Sequence, residues 1–159
     1  MSSKKKQELD MEKLLKALDN DTNQHIVESD LDYNKINAAK NTILQQLQLP
    51  RETLKTMHKQ VKAYRYIETL EEIRYGSYIR WISLKNPAEI KLTNGGIVVH
   101  LKVVRLKEVE EDEIHIFLRN AFNRLFQLKL TENIIFQKLN DQEQVLLSAM
   151  EYLNTFYTF

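Results

Sequence analysis

A chain of 159 residues is long enough for one domain that buries roughly two thirds of the surface its unfolded form would expose. With 43% apolar and 28% charged residues and no apolar run near the ~20 residues needed to cross a bilayer, the composition excludes a helical membrane protein. Zero cysteine excludes disulfides, Cys-ligated zinc, iron–sulfur clusters and thiol nucleophiles, and a net charge of +1 excludes the global positive field that drives non-specific nucleic-acid binding.

"MSSKKKQELD" opens the chain with Lys4, Lys5 and Lys6 but no apolar stretch behind them, so it reads as a solvated basic tail and not a secretory signal. Met11, Leu14, Leu15 and Leu18 then form one helical stripe, and the polar "NDTNQHIVESD" after it reads as a linker. A second helix is expected over 31–49 from the spacing of Ile36, Ile43 and Leu47. Pro50 starts a third over 51–64, with Leu54, Met57, Val61 and Tyr64 on one face and Arg51, Lys55, Lys59 and Lys62 on the other.

After Gly76 the texture changes. "YGSYIRWISL" is β-branched and aromatic and predicts a first strand, ending at Asn86-Pro87. "AEIKL" and "IVVHLKVV" predict two more, the second with Ile97, Val99, Leu101 and Val103 on one face. Asn94-Gly95-Gly96 between them predicts a type I′ hairpin turn that registers these residues against Ile90 and Leu92. A phosphate loop would need a lysine and a following helix that this stretch lacks.

Residues 114–130 fit two patterns. As a hairpin, Ile114, Ile116 and Leu118 face the same way as Phe126, Leu128 and Leu130 across the loop Asn120-Ala121-Phe122-Asn123. As a helix, Ile114, Phe117, Leu118, Ala121, Phe122 and Leu125 form a stripe behind the acidic run "EVEEDE". The hairpin is preferred, since fewer strands make a poor sheet. "ENIIFQKL" predicts a short extended piece, and Asn140 with Glu143 a capping box for a last helix through Leu146, Ala149, Met150 and Leu153.

Chemistry-bearing patterns are few. His25, His58, His100 and His115 lack metal-ligand spacing, although His100 and His115 could meet across a sheet. Ser77 lacks the setting of a nucleophile elbow. The acidic run 108–113 lacks the spaced ligands and glycine of a calcium loop and reads as a solvated loop, or as a docking surface for a basic partner. No cofactor, metal or catalytic residue is expected, and the chain reads as no enzyme.

The stretch 59–81 is the functional candidate. It interleaves Lys59, Lys62, Arg65, Arg74 and Arg80 with Tyr64, Tyr66, Tyr75, Tyr78 and Trp81, residue types that make protein-interface hot spots and that also stack bases and grip phosphates. A docking face for a protein partner or assembly, a homo-oligomer among them, is therefore expected at Tyr64, Arg65, Tyr66, Arg74, Tyr75, Tyr78, Arg80 and Trp81. The alternatives are RNA or single-stranded DNA on the same face, with Lys55, Lys59 and Lys62 joining it, and a plain core role in which the strand aromatics are half-buried with a polar tip.

"YGSYIRWISLKNPAEIKLTNGGIVVHL" resembles short uncharacterised proteins encoded by large nucleocytoplasmic DNA viruses. The strand-turn-strand series between helices is similar in outline to small five-stranded barrels of the Sm-like or SH3-like kind. Together these readings imply a basic tail, short helix and flexible linker over 1–30. An α+β domain over 31–159 follows, with N-terminal helices, an antiparallel five-stranded sheet or barrel and a C-terminal helix. The expected setting is a reducing compartment, cytoplasm or nucleus, or a virion, without membrane association.

Overall fold

The computed structural model describes residues 10–107 and 111–157. The basic tail with Lys4, Lys5 and Lys6, and Glu108 and Glu110 of the acidic run, lie outside the described residues. The chain divides into two compact units, residues 1–47 with 139–159, and residues 48–138.

The first unit is helical. α1 (Met11–Asp19) begins where Asp10 accepts a hydrogen bond from the Lys13 amide. A 3-10 turn (Asp21–Asn23) leads into α2 (Gln24–Glu28), so the expected linker is ordered here. The sequence pattern missed this because the segment is held by polar contacts: buried Asn23 donates to the Ala17 carbonyl at 2.9 Å and to Gln142 at 3.0 Å. α3 (Tyr33–Gln45) is capped by Asp32. In α5 (Asp141–Tyr157) the expected capping box is present, with Glu143 N–H donating to Asn140 Oδ1 at 2.8 Å and Asn140 N–H to Glu143 Oε1 at 3.1 Å. Ala17, Ile26, Ile36, Leu139, Leu146 and Leu147 form this unit's core.

In the second unit, α4 (Arg51–Gln60) starts after Pro50 and ends earlier than its stripe predicts. Tyr64 falls instead in a strand, β1 (Tyr64–Ile67). β2 (Tyr78–Ser83), β3 (Gly96–Arg105), β4 (Asp112–Arg119), β5 (Leu125–Lys129) and β6 (Asn133–Lys138) complete one sheet. It has six strands in the order β1-β6-β2-β3-β4-β5, with every named pairing antiparallel. The expected five-stranded sheet or barrel is thus corrected to an open six-stranded sheet, because the edges β1 and β5 do not pair with each other.

The open sheet is strongly curled. β5 and β6 stand four places apart in the order, about 19 Å on a flat sheet. Only Leu130–Glu132, a 3-10 turn, joins them, and the path from Lys129 to Asn133 reaches at most about 14 Å. The sheet must therefore bend toward itself. The rings of Trp81 on β2 and Phe126 on β5 meet at 6.3 Å across two intervening strands. Ile67, Ile73, Ile79, Trp81, Val98, Ile116, Leu118 and Ile135 fill the concave side.

Two local predictions fail for identifiable reasons. "AEIKL" supplies a single bridge, Leu92 to Ile82, because Asn86 turns the chain by accepting from the Ala88 amide and the rest spans the β2–β3 connection. The glycine pair does not make a type I′ turn: Gly95 has φ +95°, but Asn94 is not in the left-handed region. Gly95 serves close approach instead, since a Cβ there would strike the Ile79 carbonyl and come within 2.7 Å of the Tyr78 ring. Gly95→Ala should destabilise the fold by about 2–4 kcal/mol, from backbone strain and overpacking. Gly76→Ala, whose Cβ would meet open space at φ +79°, should cost only about 1 kcal/mol. Urea titrations of the two variants check the contrast, and equal midpoints would refute the close-approach argument.

β3 carries a bulge between Val98 and His100. One extra residue inverts the alternation. Val98 is buried opposite Leu118, and after the bulge Leu101 takes the concave side opposite Ile116. Ile97 is left on the convex side. The single face predicted for Ile97, Val99, Leu101 and Val103 is therefore broken within the strand.

Candidate interaction face

Strand register divides the residues of 59–81 between two sides of the sheet. On the concave side, Trp81 is only 8% exposed and packs in the core, and buried Arg65 pairs with Glu72 at 3.4 Å. On the convex side Tyr66, Phe136 and Arg80 are successive cross-strand partners, and the Tyr66 and Phe136 rings are 6.1 Å apart. Tyr64 and Tyr78 share that side. Burial pushes the Tyr64 phenol above its ordinary pKa, with Arg80 pulling the other way and Tyr78 adding to the rise.

Phe136 is fully buried, and Tyr64, Tyr66, Tyr78 and Arg80 are half-buried and committed within the chain. Arg80 Nε donates to the Thr93 carbonyl at 2.8 Å and the Tyr78 hydroxyl donates to the Asn94 carbonyl. Arg74 is half-buried, its amide bonded to Gln137, while Tyr75 is exposed. Lys55, Lys59 and Lys62 are exposed, the first two on α4 and the third beyond its end. The eight expected docking residues are thus not one surface, because alternation along β1 and β2 sends Arg65 and Trp81 inward.

A more continuous exposed surface lies on the convex side of β2–β5. Tyr78, Ile97, Arg119 and Leu125 are successive cross-strand neighbours in one row over four strands. Ile97 is 46% exposed and Leu125 65%. The next row holds His100, Phe117 and Gln127, with the His100 and Phe117 rings at 5.6 Å, and the bulged Val99 stands exposed near it. Sequence reading missed this surface because its members come from four strands, and because the bulge hides Ile97 behind an apparent core pattern. The Asn120 and Asn123 loop signal, which located the β4–β5 hairpin, was the one clue to it.

Beyond these rows, His115 and Lys102 are cross-strand partners, so His100 and His115 do not face each other directly. The Gln127 amide stands 2.6 Å from His115 Nδ1, and His115 Nε2 is 3.2 Å from Glu113, which Lys129 also reaches at 2.9 Å. An amide donating to Nδ1 leaves the ring proton on Nε2, which stands near the Glu113 carboxylate without hydrogen-bonding to it. Lys129 first, and then His115, hold the Glu113 carboxyl below its ordinary range, and Glu113 raises Lys129 in return. With its groups turned on one another, the cluster acts as a clip between β4 and β5.

Among the described residues, no group of three or more His, Cys, Asp or Glu is arranged to hold a metal ion, and no helix is long and apolar enough to cross a membrane. Compared with models of protein families, with curated proteins and with solved structures, the chain matches none.

Proposed function

We propose that this chain is a non-enzymatic protein-interaction or assembly subunit that docks a protein partner through the convex face of β2–β5. One observation carries the reading: Ile97 and Leu125 flank Arg119 in a cross-strand row that begins at Tyr78, and both aliphatic side chains are exposed. Covering the exposed part of each such side chain contributes about 1–2 kcal/mol to an association. Arginine and tyrosine beside them are the residue types over-represented among interface hot spots. The clip at Glu113, His115, Gln127 and Lys129, whose groups engage one another, supports a role for them in shaping the hairpin.

Ile97→Asp tests this. The side chain is exposed, so the melting temperature should move little, within the roughly 0.5 kcal/mol typical of surface changes. A tagged wild-type chain should retain a specific protein that the variant loses at least tenfold, measured by quantitative mass spectrometry of the eluates. Equal recovery by both chains would remove the face from the proposal. The nucleic-acid alternative is separated by fluorescence anisotropy with labelled oligonucleotides, where phosphate contacts would give an affinity that falls steeply with salt.

A further inference from the structure

The two edges of the sheet differ in how their backbone groups are used. At β1 the Tyr64 amide donates to the Val61 carbonyl at 3.0 Å and the Glu68 amide, one residue past the strand, to the Glu72 carboxylate at 2.9 Å. The β5 edge is not tied in this way. The hairpin closes with the Asn120 amide donating to the Arg124 carbonyl, so antiparallel alternation turns the backbone of Phe126 and Leu128 toward β4 and that of Leu125, Gln127 and Lys129 outward. The Lys129 carbonyl already accepts from Asn133 Nδ2 at 2.9 Å. Among the described residues no backbone bond reaches the outward groups of Leu125 and Gln127.

Natural edge strands are guarded by proline, bulges or free charge. β5 has neither proline nor bulge, and its one charge, Lys129, is engaged by Glu113 and Glu132. Its apolar side chains are accessible: Leu125 and Phe126 are exposed on opposite faces, and Phe122 in the adjoining loop is 85% exposed.

We propose that β5 is the seam of a homodimer, in which two copies pair their β5 edges antiparallel about a two-fold axis through Phe126. A second copy fits because the edge is complementary to itself. In this register Leu125 of each copy lies opposite Gln127 of the other, and all four residues have outward N–H and C=O groups to exchange. Phe126 meets Phe126 of the second copy at a non-hydrogen-bonded position, where Cα atoms approach about 4.5 Å and side chains contact most closely. Centring the axis on Gln127 instead would call on the Lys129 carbonyl that Asn133 already occupies. No like charges meet along the seam. This inference goes beyond the convex-face reading, and either can fail while the other stands.

Light scattering on the full chain should give about twice the 18.9 kDa monomer mass at tens of micromolar, falling to the monomer on dilution. Leu125→Pro should give monomer at every concentration, since it removes an outward amide at the first residue of the strand and spares the bonds to β4. The chain has no cysteine, so Phe126→Cys introduces a single thiol at a spacing suited to a disulfide across the axis. Under mild oxidation it should become mostly covalent dimer, while Val103→Cys, at an exposed β3 position, stays monomeric. A wild-type monomer at all concentrations, a dimer that survives Leu125→Pro, or cross-linking of Phe126→Cys no faster than Val103→Cys would each overturn the proposal.

Discussion

Trp81→Ala should lower stability by about 3–5 kcal/mol, which at roughly 2–4 °C per kcal/mol for a chain of this size is a fall in melting temperature on the order of 10 °C or more. Trp81 lies in the core beside Ile79, Val98 and Ile135, and its ring meets Phe126 from the far side of the curl. Truncation would remove both the large buried surface and the contact that joins β2 to β5 across the concave side. Tyr75→Ala, at a side chain 63% exposed, should leave the melting temperature nearly unchanged. Scanning calorimetry of the two variants gives a direct comparison. Were Trp81 a docking residue, its loss would weaken partner capture and leave the thermal transition in place.

Gln137→Leu is expected to be nearly as damaging, at about 3 kcal/mol or more, because it would leave several groups unpaired. Gln137 is 1% exposed on β6 and satisfies three partners. Its Oε1 accepts from the Arg74 amide at 2.9 Å and the Ser77 hydroxyl at 2.8 Å, and its Nε2 donates to the Glu72 carbonyl at 2.8 Å. One amide thus pins the connection between β1 and β2 onto the last strand. Leucine matches its bulk closely and supplies none of these bonds. Beyond the shift in urea midpoint, hydrogen exchange at the Arg74 amide should accelerate by far more than at Ile79 in the sheet centre. Unchanged protection at Arg74 would show that the amide is not the pin.

These two residues also show what the sequence could and could not disclose. β-Branched and aromatic composition after Gly76 located the strand at Trp81, and the Asn120 and Asn123 pair located the β4–β5 hairpin, because such signals depend on neighbours a few residues apart. The capping box at Asn140 and Glu143 was legible for the same reason. Gln137 was not, since its partners lie 60 residues or more away. β1 was hidden because Tyr64 continued a helical spacing and four residues are too few to establish a period. The bulge in β3 was invisible, as an extra residue changes the facing of Ile97 without changing the composition. A docking face read along one segment therefore misses exposed rows, which on a sheet are assembled across strands.

The place of β6 between β1 and β2 has a consequence during synthesis. β2 is complete at Ser83, but its neighbour on that side ends at Lys138, about 55 residues later, which at ribosomal rates of about 5–20 residues per second is a delay of roughly 3–11 s. Through that interval the nascent chain presents two strands, β1 and β2, each awaiting the same missing neighbour. Both are rich in tyrosine and isoleucine, so the emerging polypeptide carries unpaired apolar strand edges until its last strand arrives and closes the two gaps at once.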